Sequence, residues 1–154
     1  MQRRMVIAMS VLLASAACRS SSNGGTTAPN NTGTRAMTAK VDGVAWSTAS
    51  VGGSASNGVV ILAGSDGTQT IGISFAAGTT GTQAISASTV ASGSLTIGAQ
   101  TWKASVGTGT GNVTVTTSTA NHVVGTFSFT AQAVTSGATP ATRQVTVGTF
   151  DVTF

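Results

Sequence analysis

Thr126-Phe127-Ser128-Phe129-Thr130-Ala131-Gln132-Ala133 alternates apolar and polar residues without a break. A period of two places Phe127, Phe129, Ala131 and Ala133 on one face of a β-strand and the polar side chains on the other. Its partner follows a polar loop: Val145-Thr146-Val147, then Phe150-Asp151-Val152-Thr153-Phe154. Four of the five phenylalanines lie in this pair of strands, which makes it the expected centre of the core. The second strand breaks phase, because Val145 and Val147 are odd-numbered while Phe150, Val152 and Phe154 are even. An extra residue at Gly148-Thr149 would put Val147 and Phe150 on one face, and glycine tolerates the backbone of a bulge. The rival reading is a strand buried on both faces at its middle.

Composition supports the same class. The chain has 154 residues, with 20 glycines, 6% charged residues, no tyrosine and no glutamate. Thr, Ser, Val, Ala and Gly dominate, and Thr and Val favour pleated surfaces. The formal charge of +4 is no nucleic-acid signature. Arg3 and Arg4 belong to a leader, which leaves +2 from Cys18 onward. The remaining bases are scattered, with no stripe to follow a phosphate backbone.

Residues 1–17 read as a signal peptide: a basic start, an apolar run from Met5 too short to span a bilayer, then Ala14-Ser15-Ala16-Ala17. Cys18, the single cysteine, follows. This arrangement resembles the leader of bacterial lipoproteins, in which that cysteine is diacylated, although Ser15 stands where leucine is usual. The resemblance implies a lipid on Cys18 and export to the cell envelope. Arg19, rather than Asp, after the cysteine implies the outer membrane. The other reading is plain cleavage that leaves Cys18 an incidental thiol. Residues 18–35 are a Ser/Gly/Thr-rich tether without periodicity.

Residues 36–154 read as one domain. Met37–Val41 and Val44–Ser47 flank Asp42-Gly43, a strong two-residue hairpin signal. Residues 48–57 read as a Ser/Gly/Asn loop. Val59–Ala63 is apolar at every position and reads as a strand buried on both faces. Ser65–Thr68 is a second Asp-Gly turn, and Ile71, Ile73 and Phe75 mark a half-buried strand. Gln83–Ala87 is a short strand. Leu95 and Ile97 lie on one strand and Trp102, Ala104 and Val106 on the next, with Val113 and Val115 on a third. About ten short strands with turns between them predict an antiparallel β-sandwich, with a flattened β-barrel as the alternative. Large apolar residues are few, which favours closely packed sheets around a dry core over a hollow barrel.

Ala39–Trp46, Gly125–Phe129 and Gly148–Phe154 together resemble a family of small β-rich bacterial lipoproteins, itself a domain of unknown function. Its members carry an A-x-(V/I)-D-G-x-x-W opening, a G-T-F-x-F strand and a closing G-x-F-D-V-x-F strand. The resemblance implies a β-rich fold and an anchor, and no mechanism.

The stock of reactive groups is thin: His122 and three aspartates. Asp42 and Asp66 sit in Asp-Gly turns, where turn chemistry explains them. His122 is expected as an exposed loop histidine and Asp151 on the solvated face of its strand. Trp46 and Trp102 could stack on sugars if exposed, but their phase puts them with the core. The candidate ligand-binding residues are therefore Trp46, Trp102, Asp151 and His122. Neither a catalytic set nor a metal or cofactor site is expected. A non-catalytic envelope domain, anchored to a membrane and acting by binding or structure, is the first expectation, with a protein or small-molecule partner unspecified. A carrier of lipid or carbohydrate is the alternative.

Overall fold

The computed structural model describes residues 34–86 and 90–154, so Cys18, the leader and most of the tether lie outside the described residues. Eleven strands are described: β1 (Arg35–Val41), β2 (Val44–Thr48), β3 (Val51–Ser56), β4 (Val59–Ser65), β5 (Gln69–Ala76), β6 (Gly81–Ala84), β7 (Ser92–Ile97), β8 (Gln100–Ala104), β9 (Thr110–Ser118), β10 (His122–Ala133) and β11 (Thr142–Thr153). No helix occurs among the described residues.

All pairings are antiparallel and form one sheet in the order β2-β1-β11-β10-β8-β7-β5-β4-β3. β10 is the branch point. Its residues Val123–Thr130 pair with β9, which carries β6 on its far side, while Gln132 and Ala133 pair with β8. The sheet then curls until β3 comes back against β1 and β11, so the two halves face each other in a nearly closed barrel.

The C-terminal pair is the centre of the core, as its phenylalanines predict. Phe75 stacks on Phe150 with centroids 5.4 Å apart, and Phe127 lies 6.2 Å from Phe129 and 6.4 Å from Phe150. Glycines opposite the rings make room for them. Gly125 pairs with Phe150, Gly148 with Phe127 and Gly111 with Phe129. At Gly148 a Cβ would lie 2.6 Å from the Phe127 ring, and at Gly93, across the interior, 2.5 Å from that of Phe129. A glycine under an aromatic ring loses no packing of its own and lets the ring lie flat on the backbone. The close approach expected from small residues thus rests on glycine at the crossings.

The hairpin at Asp42-Gly43 forms as read. Val41 pairs with Val44, and φ is +48° at Asp42 and +84° at Gly43, the signs that this two-residue turn requires. A Cβ on Gly43 would meet nothing within 4 Å, so any penalty there is conformational. Gly43→Val is expected to destabilise by about 1–3 kcal/mol. A thermal melt coincident with the unsubstituted protein would refute the strained turn.

Several expectations are corrected. The stretch read as a loop over 48–57 contains β3 and a second two-residue turn, Asn57-Gly58, with φ +52° and +77°. Gly53 occupies an inward place in β3 because Leu62 and Phe154 fill the space of its missing Cβ, which hides the apolar alternation. β4 is buried on one face only, since Ile61 is 56% exposed between buried Val60 and Leu62. The short strand β6 starts earlier than Gln83 and ends at Ala84. β8 stops at Ala104, leaving Val106 exposed in the following turn.

The phase break in β11 is real but lies earlier than Gly148-Thr149. Phe129 pairs with Val145 and Phe127 with Gly148, so Thr146 and Val147 together oppose Ser128. Val147 takes φ +51° and is 70% exposed. Val145, Gly148, Phe150 and Val152 share the inward face, and Val147 does not share it with Phe150. Isolated β-branched residues rarely hold a positive φ. Here pairing with β1 on one side and β10 on the other holds it in place.

Candidate functional site

The outward faces of β6, β9, β10, β11, β1 and β2 carry the complement of the core pattern. Registers bring one outward residue from each strand into line: Thr82 pairs with Thr114, Thr114 with Thr126, Thr126 with Thr149, Thr149 with Thr38, and Thr38 with Ser47. Six hydroxyl side chains thus cross the half-sheet in one row. Thr82 and Thr114 are hydrogen-bonded at 2.9 Å and Thr38 and Thr149 at 2.7 Å. Between these pairs, the hydroxyl of Thr126 is engaged by no protein group.

A groove of about 450 Å³ is lined by Thr82, Thr114, Thr126 and Thr149 together with Asn112 and Ser128, and by Phe127, Val147 and Gly148 at the bulge. A second depression of about 220 Å³ continues from Ser128 toward Thr110, Thr130 and Thr146. None of the residues lining either depression is ionisable. The bulge shapes the first groove, because the added residue turns Val147 outward to form part of its wall. On the opposite half-sheet, a depression of about 330 Å³ lies over Gly72, between Ile61 and Ser94.

The expected ligand-binding residues fall elsewhere. Trp46 and Trp102 are both buried, with no face open for stacking. The Trp102 indole N–H donates to the Pro140 carbonyl at 2.8 Å, and the Arg143 guanidinium sits 4.9 Å from its ring centroid. That guanidinium also donates to Asp42 at 2.6 Å, while the Gln144 amide donates to the other Asp42 oxygen at 2.8 Å. Burial opposes the charge on Asp42, but the Gln144 amide and Arg143 outweigh it and hold the carboxyl below its ordinary value. This cluster ties the first hairpin to β11 and β8, a structural role.

Asp66 accepts from the Gln69 amide at 2.7 Å and from the hydroxyl and amide of Thr68, each at 2.8 Å. These bonds, led by the Gln69 amide, lower its pKa. They account for the carboxylate as the lock of its turn.

His122 and Asp151 are brought together, which sequence reading did not foresee. His122 is the first residue of β10 rather than a loop residue, and its Nε2 lies 2.8 Å from Asp151 Oδ1. Both side chains remain substantially exposed. Thr119 Oγ1 contacts the backbone of His122, not its ring. The pair therefore joins the ends of two neighbouring strands, outside the groove.

The row of hydroxyls was missed. Its local signal was present in the outward threonines of Gly125–Phe129 and Asn112–Thr117, but alignment across six strands needs their registers.

A family model described as a domain of unknown function, DUF6252, matches residues 33–151, and the chain belongs to that family. Neither the curated proteins nor the solved structures include a match to the chain.

Proposed function

We propose that this DUF6252 chain is an exported, lipid-anchored module of the bacterial cell envelope that acts by binding through the outside of its sheet, without chemistry of its own. The observation that carries the binding reading is the uncharged, hydroxyl-lined groove at the Val147 bulge. It is the largest of the three depressions described, and it is shaped by an energetically uncommon backbone. The carrier alternative draws no such support, because phenylalanine rings laid on glycines occupy the interior that cargo would need.

The anchored reading rests on Arg3-Arg4, the short apolar run and the single Cys18. With lipid on Cys18, the tether leaves the domain close to the membrane, and Arg19 favours the outer membrane of a two-membrane cell. Cys18→Ser is the test. On membrane fractionation the substituted chain is expected in the soluble fraction or unprocessed, and the unsubstituted chain in the membrane fraction. Equal retention of both would sink the anchor.

A further inference from the structure

We infer that the groove at the Val147 bulge is a binding site for a neutral polyhydroxylated chain, a glycan, laid across the strands along the threonine row. This deepens the reading of the outer face as the binding surface and rests on it.

Three observations select the ligand class. The first is charge. The nine lining residues are all uncharged, and the charged residues nearest on this face by register, Lys40 beyond Thr38 and Asp151 beyond Thr149, are of opposite sign, so the groove itself favours neither a phosphate, sulfate or carboxylate nor a cation. The second is hydrogen-bonding capacity. A threonine hydroxyl offers one donor and two acceptor positions. Each bonded pair, Thr82–Thr114 and Thr38–Thr149, uses one donor and one acceptor and keeps the rest for a ligand. Thr126 keeps all of its capacity, and Asn112, paired with Ser128, adds an amide to the same groove. A sugar hydroxyl is likewise both donor and acceptor, so the two sets can satisfy each other in either sense. The third is the apolar part: threonine methyl groups and the exposed Val147 give the C–H face of a sugar ring something to rest on.

The dimensions agree. Neighbouring strands lie about 4.8 Å apart, so the four threonines of the groove extend over about 14 Å, the length of about three pyranose rings. An extended peptide is less suited to this place, because peptides recognise sheets by main-chain bonds at a strand edge. The groove lies on the face, where the main-chain groups of β9, β10 and β11 are already paired.

The test is isothermal titration of the whole purified chain with cello-, xylo- and N-acetylglucosamine tetrasaccharides, and with a polygalacturonate fragment as the charged comparison. Saturable binding is expected for at least one neutral chain and not for the acidic one. The double substitution Thr126→Val, Thr149→Val keeps the β-branched shape and removes two hydroxyls. It should weaken binding at least tenfold with an unchanged melting temperature. The matching double substitution on the opposite half-sheet, Thr70→Val with Thr96→Val, should leave affinity unchanged. No binding of any neutral tetrasaccharide at millimolar concentration would overturn the proposal. So would equal affinity after the Thr126/Thr149 change, preference for the acidic chain, or binding of an unstructured peptide in place of sugars. Fractionation of the Cys18→Ser chain is read independently. Loss of membrane retention in the Cys18→Ser chain, together with no sugar bound by the unsubstituted one, rejects this ligand class while the envelope-module reading stands.

Discussion

Gly125→Ala is expected to destabilise the domain by about 3 kcal/mol and to lower its melting temperature by roughly 10–15 °C. The added methyl would strike the Thr114 carbonyl oxygen on β9 and the Phe150 ring, whose Cζ would be 2.6 Å away. Neither can yield cheaply. The carbonyl belongs to the β9–β10 ladder, and the ring is held between Phe75 and Phe127. Gly52→Ala is the control, because nothing lies within 4 Å of that position and its φ is not positive. There alanine should be neutral or stabilising by up to about 1 kcal/mol, since glycine weakens a strand interior. Thermal or urea unfolding of both proteins gives the comparison. Equal stability of Gly125→Ala and the unsubstituted chain would show that the rings do not depend on bare backbone beneath them.

Phe150→Ala should cost about 4 kcal/mol. Phe150 is buried, stacks on Phe75 from the opposite half-sheet, and touches Phe127 from its own. Removing it opens a cavity over Gly125, which has no side chain to fill the space. Phe154→Ala is the comparison. Phe154 lies at the seam against Gly53 and is only partly buried. Its loss should cost about half as much or less, because a partly exposed ring has less transfer free energy to lose. Denaturant midpoints measure both. A Phe150→Ala protein no less stable than Phe154→Ala would move the centre of the core away from β10 and β11.

Where sequence reading succeeded, the deciding physics was local. Strict alternation made β5, β1 and the Thr126–Ala133 part of β10 legible, because the inward places there hold side chains that register as apolar. Asp42-Gly43 was legible because its two positive φ values depend on two adjacent residues. Asn57-Gly58 carries the same signal and was hidden by its surroundings. In β3, Gly53 and Ala55 occupy the places where bulk would have revealed a strand. Val59–Ala63 failed for the opposite reason: Ile61 is apolar yet outward, so composition overstated its burial.

The β11 bulge shows the limit most clearly. The odd-to-even change from Val145 to Phe150 calls for an extra residue somewhere between them if both are to face inward, and that much is arithmetic on the sequence. Glycine is the cheapest residue to strain, which points to Gly148. The chain instead places the strain at Val147, because Gly148 is needed inward beneath the Phe127 ring. A contact between strands overrode a local preference.

The amino-acid sequence by itself determined the strand class, the Asp-Gly turns and the inward phenylalanines, since each depends on residues within a few positions of one another. Only the tertiary structure decided which outward residues stand side by side. Thr82 meets Thr114 across 32 positions of chain, Thr38 meets Thr149 across 111, and His122 meets Asp151 across 29. Register sets these meetings, and a shift of one residue would have turned the hydroxyl row into the core and the phenylalanines into solvent. The burial of Phe127, Phe129 and Phe150 selects the register, so the groove on the outside is a consequence of packing on the inside.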